Sequence, residues 1–476
     1  MSAEAGQACR SERNTGPSAI SHFMAQDDEV LRGECNMKKT FRLRRAGLVP
    51  VAVAALTWFA LPAQAATGPV SSTPAVGTPQ LATTGTTEQV RQLAQCGSTM
   101  YAVGTFTEIK RYSTTYDRNN AFSFSATSPF QVTSWNPNVN GIVNSIAFNS
   151  SCTEAYLGGQ FTSVDGTAVK NIAEVSTSTG AVNTAFAHSA SGQVETLLTY
   201  GSHVLTGGYY TSINGSSANP YFTSLNVTTG KDDGFLHLSI SGNYQFPGVS
   251  SNGTRVFNQQ LSHGGTLDLV EGDFTSVGGL SRQQIFELNL SGSTAAVTPW
   301  TSAEFDGDCA TVEPYYVQAA SWSPDDSEIY IATTGYHPYN MPIGQTPRTG
   351  LCDAAAAFPA TQGSVSHLWI NYAGCDSLYA TAADASTAYF GGHERWADNP
   401  DDCDAAGPGA ISAPGMVGLS PSTGAVTFNP TRDRGLGADD MLVTSAGLWI
   451  ASDNFDGSSR CAGVYGYAGI CFLPYS

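Results

Sequence analysis

Three stretches decide the fold: Tyr156-Leu-Gly-Gly-Gln-Phe161-Thr-Ser, Val204-Leu-Thr-Gly-Gly-Tyr-Tyr210-Thr-Ser and Leu269-Val-Glu-Gly-Asp-Phe274-Thr-Ser. Each is an apolar run followed by Gly, a polar residue, an aromatic and Thr-Ser. Tyr101-Ala-Val-Gly-Thr-Phe106-Thr is a weaker copy ahead of them. A phrase returning every ~50–60 residues marks repeated supersecondary units stacked on one another.

The clearest unit runs from Gly141 to Phe186. Its pattern predicts strands at Ile142–Phe148, Glu154–Leu157, Asn171–Val175 and Ala181–Phe186, with turns at Asp165-Gly166 and Thr179-Gly180. Such turns carry Gly where a positive φ is required. The order repeats with divergence, and seven units start near residues 90, 141, 192, 245, 314, 376 and 438. A four-stranded sheet cannot bury both its faces alone, whereas radial stacking of such sheets can. The expected fold is all-β, a seven-bladed β-propeller of four-stranded antiparallel blades over residues 90–476. Composition agrees, since 50 glycines and only 13% charged residues in a 476-residue chain suit short strands and tight turns.

Residues 37–65 read differently. Lys38-Lys39-Thr-Phe-Arg42-Leu-Arg44-Arg45 precedes an apolar run from Ala46 to Leu61 and then Ala63-Gln-Ala65. A basic start, a short apolar core and a small-x-small site form a secretory signal peptide cleaved after Ala65. The run is shorter than the ~20 residues of a membrane span, so no membrane attachment is expected after cleavage. Residues 1–36 read as a spurious or disordered extension. Residues 66–89, rich in Thr, Pro and Gly, read as a loose leader or a closing strand. The expected location is therefore secreted and extracellular, and the expected state a monomer.

After Ala65 the chain keeps eight cysteines, an even number that in a secreted protein suggests disulfides. Cys96 and Cys152 precede the phrase at equivalent places in neighbouring units and form a candidate pair; Cys461 and Cys471 form another within the last unit. The same region carries 13 basic against 33 acidic side chains, a net charge of −20. Such a surface repels phosphate backbones and argues against nucleic acid.

The pattern apolar-x-Gly-Gly-x-Phe-Thr-Ser-Val-x-Gly, followed by a strand near Leu-Asn and by x-x-Thr-Gly, resembles the short bacterial propeller repeat called delta-60. The segments Phe390-Gly-Gly-His-Glu-Arg-Trp396 and Gly447-Leu-Trp-Ile-Ala-Ser-Asp453 look like those of secreted actinobacterial propeller proteins. That resemblance implies the fold and export, but no activity and no catalytic residue.

Chemistry is sparse. There is no Gly-x-Ser-x-Gly elbow, His-Glu-x-x-His or phosphate loop. His393-Glu394-Arg395-Trp396 replaces the usual phrase in one unit and is the candidate ligand site, with Trp396 as a stacking surface. In the competing structural reading, Glu394 and Arg395 form an ion pair and Trp396 packs between blades. Glu304-Phe-Asp306-Gly-Asp308 and Asp453-Asn-Phe-Asp456-Gly have a spacing that can gather oxygens around Ca²⁺; no other cofactor is expected. The function expected is a secreted binding or scaffold module for a protein or glycan, without a catalytic motif. The alternative is a carbohydrate-active hydrolase or lyase using Glu394, Asp398 and Asp306 as carboxylates at a channel mouth.

Overall fold

The computed structural model describes residues 69–242, 253–306, 316–335, 351–400, 402–403, 405–430, 432, 437–455 and 460–476. The expected signal peptide and the extension before it lie outside these residues. The described chain is all-β, with one short 3₁₀ turn at Ala303–Asp306.

Among the described residues, seven of the antiparallel sheets open on a leading strand of five to eight residues and follow one another along the chain, and five smaller sheets of two or three short strands accompany them. The seven leading strands are Gln89–Cys96, Ile142–Phe148, Val194–Tyr200, Arg255–Leu261, Val317–Trp322, Leu378–Ala383 and Asp440–Thr444. Each leading strand pairs through a hairpin with a second strand, which carries the recurrent phrase in Glu154–Gln160 of the second sheet and His203–Gly208 of the third. A third strand completes each sheet, for example Ile172–Ser176. The fourth, fifth and sixth sheets add a fourth strand. In the first three sheets the expected fourth strand shrinks to single bridges, Phe124 to Val132, Val175 to Val182 and Leu225 to Asp232. Past the bridge in the second sheet, Phe186 is fully buried, its ring against Tyr156.

Leading strands touch in order from the first sheet to the seventh, and the seventh touches the first. The hydrophobic core is divided in the same way, into seven wedges that each join two neighbouring sheets. Tyr101 and Val103 of the first sheet pack with Val143 and Leu157 of the second. Trp449 and Phe472 of the seventh pack with Phe122 and Phe124 of the first. Burying a side chain of this size stabilises by about 1.5–3 kcal/mol, and each of the seven sheets shares its apolar side chains with two neighbours.

The phrase owes its glycines to two close approaches. In the second sheet the register slips between Val143 and Ser145, so Asn144 is an extra residue in a β-bulge. Gly159 faces that bulge, and a Cβ on it would collide with the Ile142 carbonyl oxygen. Gly104, Gly208, Gly272 and Gly392 face bulges in the same manner, while Thr333 holds the place in the fifth sheet. The preceding Gly158 instead faces the next sheet, where a Cβ would lie 2.6 Å from Val194 Cγ1.

Both expected disulfides are formed: Cys96–Cys152 ties the first sheet to the second, and Cys461–Cys471 braces the last. Cys375–Cys403 is a third pair. Part of the segment 69–82 lies along the final strand, Ile470–Pro474. Val70 bridges Tyr475, and the Ser71 and Ala75 N–H groups donate to Pro474 and Phe472.

Gly159→Ala should lower stability by about 1–3 kcal/mol, the range for forcing a methyl group into a packed site. Thermal unfolding would measure it, and an unchanged melting temperature would contradict the role assigned to the bulge.

Candidate functional site

A bulge inserts one residue and re-aims its side chain. The slip recurs between Val90 and Gln92, Val143 and Ser145, Val194 and Thr196, Val256 and Asn258, Val317 and Ala319, and Leu378 and Ala380. The inserted residues are Arg91, Asn144, Glu195, Phe257, Gln318 and Tyr379. All six line one cavity of ≈ 370 Å³, together with Asp439 and Asp440 from the start of the seventh leading strand. One cavity thus receives a side chain from each of the seven sheets.

Gln92 and Ser145, which follow bulges, and Asp440, which opens the seventh leading strand, stitch neighbouring strands together. Gln92 Oε1 accepts from the Ile146 N–H at 2.6 Å, Ser145 Oγ from the Leu197 N–H at 3.0 Å, and Asp440 Oδ2 from the Leu93 N–H at 2.8 Å. These bonds satisfy backbone donors that would otherwise face the cavity unpaired.

The cavity wall has two arcs. On one, charges alternate with amides: the Gln89 amide donates to Asp439 at 2.5 Å, and Arg91 donates to Asn144 at 2.9 Å. Asn144 in turn donates to Glu195 at 3.2 Å. Arg255 stands beyond Glu195, its guanidinium 5.3 Å from the Phe257 ring centroid. The other arc is Phe257, Gln318 and Tyr379, without charge.

Burial pushes the Glu195 carboxyl up, and Arg255, Gln193 and Arg91 pull against it. Asp439 is pushed up to about 7 by burial, with Arg91 opposing and the Asp440 and Asp453 carboxylates adding to it. Asp440 is pushed up to about 6 by burial, against the Leu93 and Met441 N–H groups. Burial, followed by the Asp353, Asp439 and Glu394 charges, raises Tyr379, while Ser377 opposes.

The residues singled out from the sequence lie elsewhere. His393, Glu394, Arg395 and Trp396 do not line this cavity. Arg395 holds Asp376 through Nε at 2.7 Å and Nη2 at 2.9 Å, a two-pronged pair with a carboxylate the sequence had not matched to it. Glu394 is fully buried, and Trp396 is half-buried in a two-residue strand paired with Ser412. Of the Ca²⁺ candidates, Asp306 is exposed at the end of the 3₁₀ turn and Asp453 is buried, accepting from the Phe455 N–H. Asp308 and Asp456 lie outside the described residues. Among the described residues no three His, Cys, Asp or Glu side chains come together as a metal site.

The cavity residues escaped sequence reading because each looks like an ordinary strand residue. Their trace is an apolar residue at the strand start followed by two residues of other character and then a return to the core. Val90-Arg-Gln-Leu93, Val143-Asn-Ser-Ile146 and Val194-Glu-Thr-Leu197 show it.

No protein-family model and no curated protein sequence matches the chain. Among solved structures, the WD40 β-propeller domain of Doa1 aligns with 82% of this chain and 95% of that chain at 13% identity, with a TM-score of 0.42.

Removing the partner of a buried ionised group costs several kcal/mol. Asp376 is 4% exposed and Arg395 28%, so Arg395→Ala should destabilise by about 3 kcal/mol, measured by denaturant unfolding. A loss no larger than at an exposed site would remove the pair from the framework. The raised pKa values of Asp439 and Asp440 carry a definite sign. Their contribution is fully present below the ordinary Asp range and is lost as pH rises through about 6 to 7. Asp439→Asn should therefore gain stability relative to the natural chain as pH is raised across that window. Parallel melting curves at acidic and mildly alkaline pH test this, and a constant difference would refute it.

Proposed function

We propose that the chain is a secreted seven-bladed β-propeller acting as a binding module, and that the central cavity is its ligand site. The observation that carries this reading is the convergence of one side chain from each of seven sheets on one cavity. The cyclic order of the leading-strand contacts supports the blade count. Export rests on the basic, apolar and small-residue pattern of residues 37–65. The ligand is an extracellular protein or glycan, and the chain works as a monomer.

Hydrolysis is the less favoured reading. A glycosidase needs two carboxyl groups flanking one bond with different protonation. Of the three sequence candidates, Glu394 is buried, Asp398 holds Asn371 at 2.7 Å, and Asp306 sits on an exposed turn. Within the cavity, Glu195 and Asp439 are held by side-chain amides.

The test is capture by the full chain from defined arrays of extracellular glycans and proteins. It compares the natural chain with a variant combining Asn144→Ala, Phe257→Ala and Gln318→Ala. Capture lost in a variant that melts cooperatively is the expected result. Capture that survives the variant would remove the cavity from the function. Accumulation of free reducing ends on a captured glycan would establish the hydrolase instead.

A further inference from the structure

We infer that the cavity takes a neutral carbohydrate of one or two sugar units. This inference rests on the binding reading above and narrows it to a ligand class. At ≈ 370 Å³ the space is at the small end of ligand pockets, which run from ~300 to ~1,000 Å³. It is too small for a folded protein element and sufficient for a short saccharide.

The chemistry of the wall selects among small ligands. Gln259 is 8% exposed, lines the cavity, and donates through Nε2 to Thr196 at 3.3 Å. Its Oε1 is buried and has no hydrogen-bond partner. A buried acceptor left without a donor is unfavourable, and a donor supplied to it is favourable. Arg91 Nε and Arg255 Nε are buried donors with no partner. The wall also carries the amides of Asn144, Asn258 and Gln318, each a donor and an acceptor together, which matches hydroxyl groups, since each hydroxyl both gives and takes a hydrogen bond.

An anion is disfavoured because Glu195, Asp439 and Asp440 line the cavity against the two cations Arg91 and Arg255. A cation is disfavoured because Asp439 and Asp440 are already engaged by Gln89 and the Leu93 N–H. What remains is a neutral polyhydroxyl ligand. The uncharged arc suits it, because Phe257 and Tyr379 add aromatic carbon to a lining that is otherwise mostly polar, and a sugar has an apolar C–H face beside its hydroxyls.

Calorimetric titration of the full chain tests the assignment with three sets of probes: neutral disaccharides (cellobiose, maltose, chitobiose), glucuronate and galacturonate, and calcium chloride. The expected result is saturable binding of at least one neutral disaccharide at one site per chain. Phe257→Ala and Gln259→Leu should each weaken it about tenfold or more, and Phe257→Tyr should retain it. Melting curves identify a variant that fails to fold, and the two positions serve as independent checks. Binding of only the uronates or only calcium would overturn the inference, as would neutral-sugar binding indifferent to both substitutions. If the arrays yield a cavity-dependent ligand but no neutral sugar binds, the ligand class falls and the binding reading stands. If nothing captured depends on the cavity, both fall.

Discussion

Where a leading strand gains one extra residue opposite a glycine, the geometry of everything around it is set. The slip lets Val143 and Ile146 both reach the wedge toward the first sheet, although they are three residues apart. A regular strand would point them to opposite faces. Val90 with Leu93 and Val194 with Leu197 behave alike. The residue released by the slip has nowhere to go but the middle. Glycine stands opposite the bulge in five of the six sheets that show the slip, and Thr333 stands there in the fifth sheet, so close approach favours glycine at this place without demanding it in every sheet.

Because apolar side chains are spent between sheets, the middle of the molecule is left to polar ones. Most buried polar atoms in proteins are paired, and the Gln92, Ser145 and Asp440 bonds to neighbouring backbone supply part of that pairing here. Those bonds also fix the wall against which Arg91, Asn144 and Glu195 are arrayed. Side chains held by neighbours lose little freedom on meeting a ligand, and pre-organisation of that kind favours recognition.

The sequence disclosed the scaffold better than the site, for a physical reason. Gly158-Gly159, Asp165-Gly166 and Cys96 with Cys152 act through backbone shape or covalent reach, and those requirements restrict residue type. Asp165 and Gly166 adopt φ 47° and 74°, as their turn requires. Cavity positions carry no such restriction: Arg, Asn, Glu, Phe, Gln, Tyr and Asp all occupy the equivalent place. The i, i+3 spacing around them fits neither strand periodicity nor the short helix it mimics. His393 to Trp396 drew notice because it broke the phrase, yet Arg395 and Asp376 show that a break can serve the framework.

The joint between the last sheet and the first differs from the other six. There the Val90 N–H donates to the Ser452 carbonyl, the Asn454 N–H donates to Glu88, and Gln80 reaches the Ile470 carbonyl across 390 positions of sequence. Contacts so distant along the chain are slow to form. A chain emerging N-terminus first must hold Gln89–Cys96 beside an empty place until the residues that fill it have been made. Until then an unpaired strand edge and half of an aromatic wedge built on Trp449 face solvent, a state prone to association with other chains. The contact between the seventh leading strand and the first thus joins segments made far apart in time, and the hazard of assembly is concentrated at that one joint.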